Sequence, residues 1–249
     1  MIIDLSLAES HSKDVSIMVD ALRASTTITV ALDHFKEVIP AFSPEEARKL
    51  AKENNSVLAG ERKGQKLDGF DLGNSPCQIK DFNTDKESIV LTTSNGVRAL
   101  ENMKNSRNIL IGGFTNAKAL AKAATELARE EIEIVMGGYN GEFAIEDFLA
   151  AGEILYWIKE ELKKEDTALE DTNDGSDYQW KDRKGFSEYA ISAILASRDE
   201  ESNNREMLKS KSGKRLRYLN YHDDVELCMK RNISENVGIY KDGKIVLYE

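Results

Sequence analysis

The residues best suited to chemistry begin at Asp20-Ala21-Leu22-Arg23-Ala24-Ser25-Thr26-Thr27. Here a carboxylate ends an apolar run, an arginine follows three residues on, and a cluster of hydroxyls comes next. Further segments have the same character. Gly60-Glu61-Arg62 leads to Gly69-Phe70-Asp71-Leu72-Gly73-Asn74-Ser75-Pro76. Beyond these come Thr92-Thr93-Ser94-Asn95-Gly96-Val97-Arg98, Gly112-Gly113-Phe114-Thr115-Asn116, and Gly137-Gly138-Tyr139-Asn140-Gly141 with Glu146-Asp147 after it. Carboxylates hold a divalent cation or orient water, while Arg and backbone N–H groups neutralise oxyanions. His11, His34 and His222 fall outside these segments, so the set points to metal-assisted phosphoryl chemistry rather than to a histidine base. No G-x-x-x-x-G-K-[ST], G-x-G-x-x-G or D-x-D pattern occurs at these places, which disfavours the standard nucleotide folds.

Each piece also has a plainer explanation. Ser25, Thr26 and Thr27 are good helix caps, Ser94-Asn95-Gly96 reads as an ordinary turn, and Glu146 and Asp147 complement the dipole of a helix start. Asp20 is harder to explain that way, because a carboxylate that ends an apolar strand three residues before an Arg is common as a ligand or base. The segment 60–76 is long for a connection in a compact domain, and its Phe70 and Leu72 favour an ordered, functional loop.

Short β-branched runs at 15–19, 37–42, 56–60, 88–92, 108–111 and 132–136 read as strands, and 25–34, 43–54, 95–103 and 115–130 as helices between them. Ser43-Pro44-Glu45-Glu46 is a capping box with Pro in the first turn. A longer helix over 144–164 carries Ile145, Phe148, Leu149, Gly152, Leu155 and Tyr156 at three- and four-residue spacing, a core-facing stripe. Two or three short helices are expected between 186 and 230. Asp242-Gly243 between alternating runs predicts a closing hairpin over 237–247. Strands alternating with helices indicate one α/β domain over 1–249, with a mainly parallel sheet, helices on both faces and a C-terminal hairpin. In such a sheet, loops beyond the carboxyl ends of the strands gather the ligand. The polar, acidic stretch 163–185 reads as a surface excursion.

With Lys+Arg 34 against Asp+Glu 44, the formal charge is −10, and no basic stripe is present. Nucleic acid is not an expected partner, and an anionic substrate must be held by local groups or a metal ion. Cys77 and Cys228 have neither disulfide-framework nor zinc spacing. No apolar run approaches the ~18 residues of a membrane span and no signal segment opens the chain, so the expected setting is cytoplasmic. A homo-oligomer is compatible with the sequence.

Taken as a set, these segments resemble the 2-phosphosulfolactate phosphatase family of coenzyme M biosynthesis. The similarity is carried by 19–27, 60–62, the Gly69-Phe70-Asp71-Leu72-Gly73-Asn74-Ser75-Pro76 run, 92–99 and Glu146-Asp147 with Ala150-Ala151-Gly152, and more weakly by 212–216 and 223–225. Ser94 and Val97 stand where the family has Thr, Ala21 where Val is usual, and Ser212 where His is typical. The resemblance implies Mg²⁺-dependent hydrolysis of (R)-2-phospho-3-sulfolactate to sulfolactate and phosphate. On that reading Asp20, Arg23, Glu61 and Arg62 form the catalytic set, with Asp20, Glu61 and Asp147 as Mg²⁺ ligands. Arg23 and Arg62 would meet phosphate or sulfonate oxygens. Ser25, Thr26, Ser94, Asn95 and Gly96 would donate to substrate, and Asn74, Ser75 and Asn116 would make outer polar contacts. Asp20 could be a nucleophile or a metal ligand. A phosphatase for another small phosphorylated hydroxy acid, or a non-catalytic protein binding an anionic metabolite, remain the competing readings.

Overall fold

The structure, a computed structural model, describes residues 1–7, 9–164 and 185–249. Most of the acidic stretch, 165–184, lies outside the described residues. The chain opens with strand β1 (Ile2–Leu7), then β2 (Val15–Val19), helix α1 (Ala24–Ala31), β3 (Glu37–Pro40), α2 (Pro44–Glu53) and β4 (Val57–Arg62). A short β5 (Gln65–Lys66) turns back on β4, and α3 (Pro76–Lys80), β6 (Ser88–Thr92), α4 (Gly96–Glu101) and β7 (Asn108–Ile111) follow. A 3₁₀ turn over Phe114–Asn116 leads into α5 (Ala117–Leu127), β8 (Glu131–Met136) and the long α6 (Ile145–Lys164). Last come β9 (Gly185–Phe186), α7 (Glu188–Ala196), α8 (Glu200–Lys209), α9 (Lys211–Tyr218), α10 (His222–Met229), β10 (Gly238–Lys241) and β11 (Lys244–Leu247).

Local chemistry sets these boundaries. Ser43 Oγ accepts the Glu46 N–H at 3.0 Å while Glu46 reaches back to the Phe42 N–H at 2.7 Å, so α2 starts where the capping box places it. Ser75 caps α3 in the same way, accepting the Gln78 N–H at 3.1 Å ahead of Pro76. Asp242 and Gly243 have φ of 51° and 81°, the primed turn that joins β10 to β11.

The described strands form one mixed, mostly parallel sheet in the order β5-β4-β6-β3-β11-β10-β7-β2-β8-β1-β9. Three features go beyond the sequence reading. β1, whose Ile3 and Leu5 are buried, pairs in parallel with β8 and precedes the first strand expected at 15. Among the described residues four helices, not two or three, occupy the region between 186 and 230. The C-terminal hairpin forms where expected, and its place, which the sequence did not give, is mid-sheet, antiparallel to β7 on one side and to β3 on the other.

That insertion has a geometric consequence. β10 opposes β7, β11 opposes β10, and β3 opposes β11, so the parallel wing β4-β6-β3 runs opposite to the wing β7-β2-β8-β1. In a flat sheet their carboxyl ends would face away from each other. Here they do not: Gly96, beyond β6, comes against Asp20, beyond β2, and one apolar cluster runs across both wings. Met18, Ile109, Ile111 and Val135 of one wing share a cluster with Val57, Ala59, Ile89 and Leu91 of the other, together with Ile28 and Ile245. On the outer faces, Ile17, Leu110 and Ile134 pack with α5 and α6, and Ile39 and Val90 with Ala47 and Ala51 of α2. Residues alternate between these clusters with the period of two expected of a pleat. Helices thus cover both faces.

Candidate active site

Turns from both wings meet at Asp20. Its N–H donates to Ser25 Oγ at 2.9 Å and its carbonyl accepts the Ser25 N–H at 2.9 Å, folding the start of α1 back over it. Asp20 is 7% exposed, and its carboxylate accepts the N–H groups of Ala24 and, from the opposite wing, Gly96. A Cβ on Gly96 would stand 2.5 Å from Ala24 Cβ and 2.7 Å from Asp20 Oδ2, so glycine is what permits this approach.

Glu61, at the end of β4, faces the same place. Its Oε1 accepts the Ser94 N–H at 2.6 Å, and Oε2 accepts the Gly64 N–H at 2.6 Å and the Ser94 hydroxyl at 3.2 Å. Glu146 and Asp147 arrive from the first turn of α6, both buried. Asp147 ties two loops together by accepting the Ala21 N–H at 2.8 Å and the Gly138 N–H at 2.9 Å, the latter from a glycine at φ 68°.

Four buried carboxylates in one crevice repel each other. Burial first, then the charges of Glu61 and Glu146, push Asp20 up to about 7, against N–H donors that pull it down. Burial and the charges of Asp20 and Glu146 likewise push Asp147 well above the ordinary aspartate range. A divalent cation would reverse both effects. Asp20, Glu61, Glu146 and Asp147 could offer it oxygens, although no three His, Cys, Asp or Glu side chains among the described residues form a ready-made cage. Mg²⁺ does not need one, since it commonly takes one or two carboxylates and keeps several waters.

The other residues singled out from sequence divide by place. Ser94, Asn95 and Gly96 line the crevice, and Asn95 begins α4 without a side-chain cap bond. Arg62 lies beside it, half-buried, donating to Glu61 O at 2.6 Å and Thr92 Oγ1 at 3.1 Å. Arg23 points elsewhere: only 2% exposed, it donates through Nη1 to Asp224 at 2.5 Å and through Nη2 to Gly64 O at 3.0 Å. Ser75 is likewise occupied, donating to Asp224 at 2.8 Å. Asn74 beside it is buried with Oδ1 unpartnered among the described residues. Ser25 serves Asp20, and Thr26 lies against the Cys228 thiol. Asn116 is fully buried and structural in its contacts, accepting the Gly113 N–H at 3.0 Å and donating to Asn236 O at 2.8 Å. Sequence reasoning gave Glu146 no role beyond the helix dipole and Asp224 none at all. The adjacent Glu-Asp pair was a signal for the first; the weak resemblance over 223–225 was the only mark of the second.

These features describe an α/β enzyme whose acidic crevice suits cation-assisted chemistry on an anionic ester. A family profile described as 2-phosphosulpholactate phosphatase matches residues 2–243. A 2-phosphosulfolactate phosphatase of Methanothermobacter thermautotrophicus is 43% identical over 249 residues, covering 100% of this chain and 96% of that protein. Probable 2-phosphosulfolactate phosphatases of Clostridium acetobutylicum and Clostridium novyi are each 34% identical, covering 99% and 98% of this chain and 100% and 99% of theirs. The chain belongs to the 2-phosphosulfolactate phosphatase family and is a phosphoric monoester hydrolase. Among the described residues no helix is long and apolar enough to cross a membrane.

Proposed function

We propose that the protein hydrolyses (R)-2-phospho-3-sulfolactate to sulfolactate and inorganic phosphate with Mg²⁺ as cofactor, a step of coenzyme M biosynthesis. The names of the relatives support the substrate. The observation that carries the mechanism is the gathering of Asp20, Glu61, Glu146 and Asp147 at one crevice, with Asp20 raised to about 7 by burial and its neighbours. Asp20 and Glu61 would hold the cation. When bound, Mg²⁺ would neutralise phosphoryl oxygens and lower the charge barrier to an incoming nucleophile.

The chain's own residues do the rest. Ser94 and Gly64 N–H groups fix Glu61, while Ala24 and Gly96 fix Asp20, so the carboxylates are pre-oriented before substrate arrives. Asp147 anchors the 20–21 and 137–138 turns, and Glu146, close enough for its charge to act on both Asp20 and Asp147, would orient the attacking water. Asn95 at the α4 start and the half-buried Arg62 meet the anionic oxygens. Water adds to phosphorus, the bond from phosphorus to the C2 oxygen breaks, and a proton passes to that leaving oxygen.

The test is phosphate release from 2-phospho-3-sulfolactate beside phosphoglycolate, 2-phospholactate and 3-phosphoglycerate, with Mg²⁺ and with a chelator. The expected result is preference for the sulfonate, loss of turnover on chelation, and a fall in kcat of roughly a hundredfold or more in Asp20→Asn with folding intact. Equal turnover of all four esters would remove the substrate assignment, and undiminished turnover in Asp20→Asn would remove the mechanism.

A further inference from the structure

Resting on that reading of Asp20 and Glu61, we propose that Asp224 is a positioning residue. It holds the buried Arg23 guanidinium away from the acidic crevice and on the Lys63-Gly64 turn that orients Glu61.

The network is continuous. Asp224, on α10, and Arg23 are each 2% exposed and meet at 2.5 Å. Both Asp224 oxygens are used: Oδ2 accepts Arg23 Nη1, and Oδ1 accepts the Ser75 hydroxyl at 2.8 Å and the Cys77 N–H at 3.2 Å. Tyr221, just ahead of α10, places its ring 4.3 Å from the guanidinium. Arg23 then donates to Gly64 O at 3.0 Å, and Gly64 donates its own N–H to Glu61 Oε2 at 2.6 Å. Arg215 of α9 holds the neighbouring Lys63 O at 3.1 Å.

This turn needs outside support. Lys63 and Gly64 have φ of 54° and 82°, and β5, which follows them, has only two residues, so little ladder fixes the turn's tip. The C-terminal helices supply what the ladder lacks, through Arg215 on Lys63 O and through the Arg23 guanidinium that Asp224 holds on Gly64 O. Charge gives Asp224 a second effect. Arg23 lies three residues from Asp20, and without Asp224 its buried charge would be drawn toward Asp20, Glu61 and Glu146. A guanidinium lodged there would occupy the place of a cation.

The experiment compares Asp224→Asn, Asp224→Glu and the double variant Arg23→Gln/Asp224→Asn with the parent protein. Phosphate-release kinetics, thermal melts and Mn²⁺ binding by EPR on substrate-free protein are measured on each. In Asp224→Asn kcat is expected to fall about tenfold or more while KM stays within about threefold, and Mn²⁺ affinity to fall about tenfold. Asp224→Glu should recover part of both. The double variant should regain Mn²⁺ affinity, having no freed guanidinium, yet keep the low kcat because Gly64, which bonds Glu61, has lost its Arg23 anchor. Parent-like kcat per folded molecule in Asp224→Asn, or the same Mn²⁺ affinity in single and double variants, overturns the proposal. If Asp224→Asn does not fold, the double variant, which removes the buried pair together, decides: a parent-like kcat overturns the proposal. Failure of the parent protein to release phosphate from phosphosulfolactate would sink the proposed function instead, and the Mn²⁺ comparison would still judge Asp224.

Discussion

Replacing Asp20 by Asn should make the metal-free protein more stable at pH 8, although it destroys turnover. An unfolded aspartate titrates near 3.8, whereas burial, Glu61 and Glu146 push Asp20 up to about 7 in the folded protein. Between those two pH values the folded state binds the proton more tightly than the unfolded state. Stability is therefore lost as pH rises through that window, and the full cost is present above about 7. At 1.36 kcal/mol per pH unit the difference corresponds to about 4 kcal/mol as a ceiling. Asn keeps an acceptor oxygen for Ala24 or Gly96, but its amide must find new partners, so about half of that is a reasonable net gain. For a chain of this size, about 2 kcal/mol corresponds to roughly 4–8 °C in melting temperature. Thermal melts of both proteins in chelator from pH 5 to 8 would show the gap opening with pH. Saturating Mg²⁺ should close it by stabilising the parent protein selectively. An Asp20→Asn protein melting at or below its parent at pH 8, or a gap constant across the range, would refute the account of a charge-strained crevice.

Other substitutions separate site from scaffold. Gly96→Ala should cost about 1–3 kcal/mol and most of the turnover, because the new Cβ meets Ala24 and Asp20 Oδ2 at 2.5 and 2.7 Å; an active, equally stable variant would contradict that packing. Ser43→Ala should cost about 1 kcal/mol by uncapping α2 while leaving phosphate release unchanged, and a loss of activity would tie α2 to the crevice. Ile245→Ala, in the buried mid-sheet hairpin, should cost about 2–5 kcal/mol by denaturant titration; a cost below about 1 kcal/mol would fit an edge strand and not a central one.

Much of the fold was legible because its signals are local. Ser43-Pro44-Glu45-Glu46 starts a helix wherever it occurs, Asp242-Gly243 suits a primed turn, and alternation of apolar residues reports a pleat. β1 has such alternation too, in Ile3 and Leu5, yet it lies ahead of the point where the βα rhythm becomes plain. The crevice was legible in part, since the carboxylates at 20, 61 and 147 end strands or begin a helix. Arg23 and Asn116 look from sequence like any other rim residues. What distinguishes them is the identity of their partners, Asp224 and Asn236, far along the chain.

The sequence by itself determined most of the strands, helices and turns between 15 and 164 and the residue types at their ends, because those depend on contacts within a few residues. Only the tertiary structure decided that the terminal hairpin splits the sheet into opposed wings, and that Gly96 of one wing comes against Asp20 of the other. It alone also decided that Arg23 answers to a carboxylate 201 residues away. Such pairings follow from packing the whole core at once, in which a burial gained at one end of the chain selects a neighbour at the other, and no local pattern records that choice.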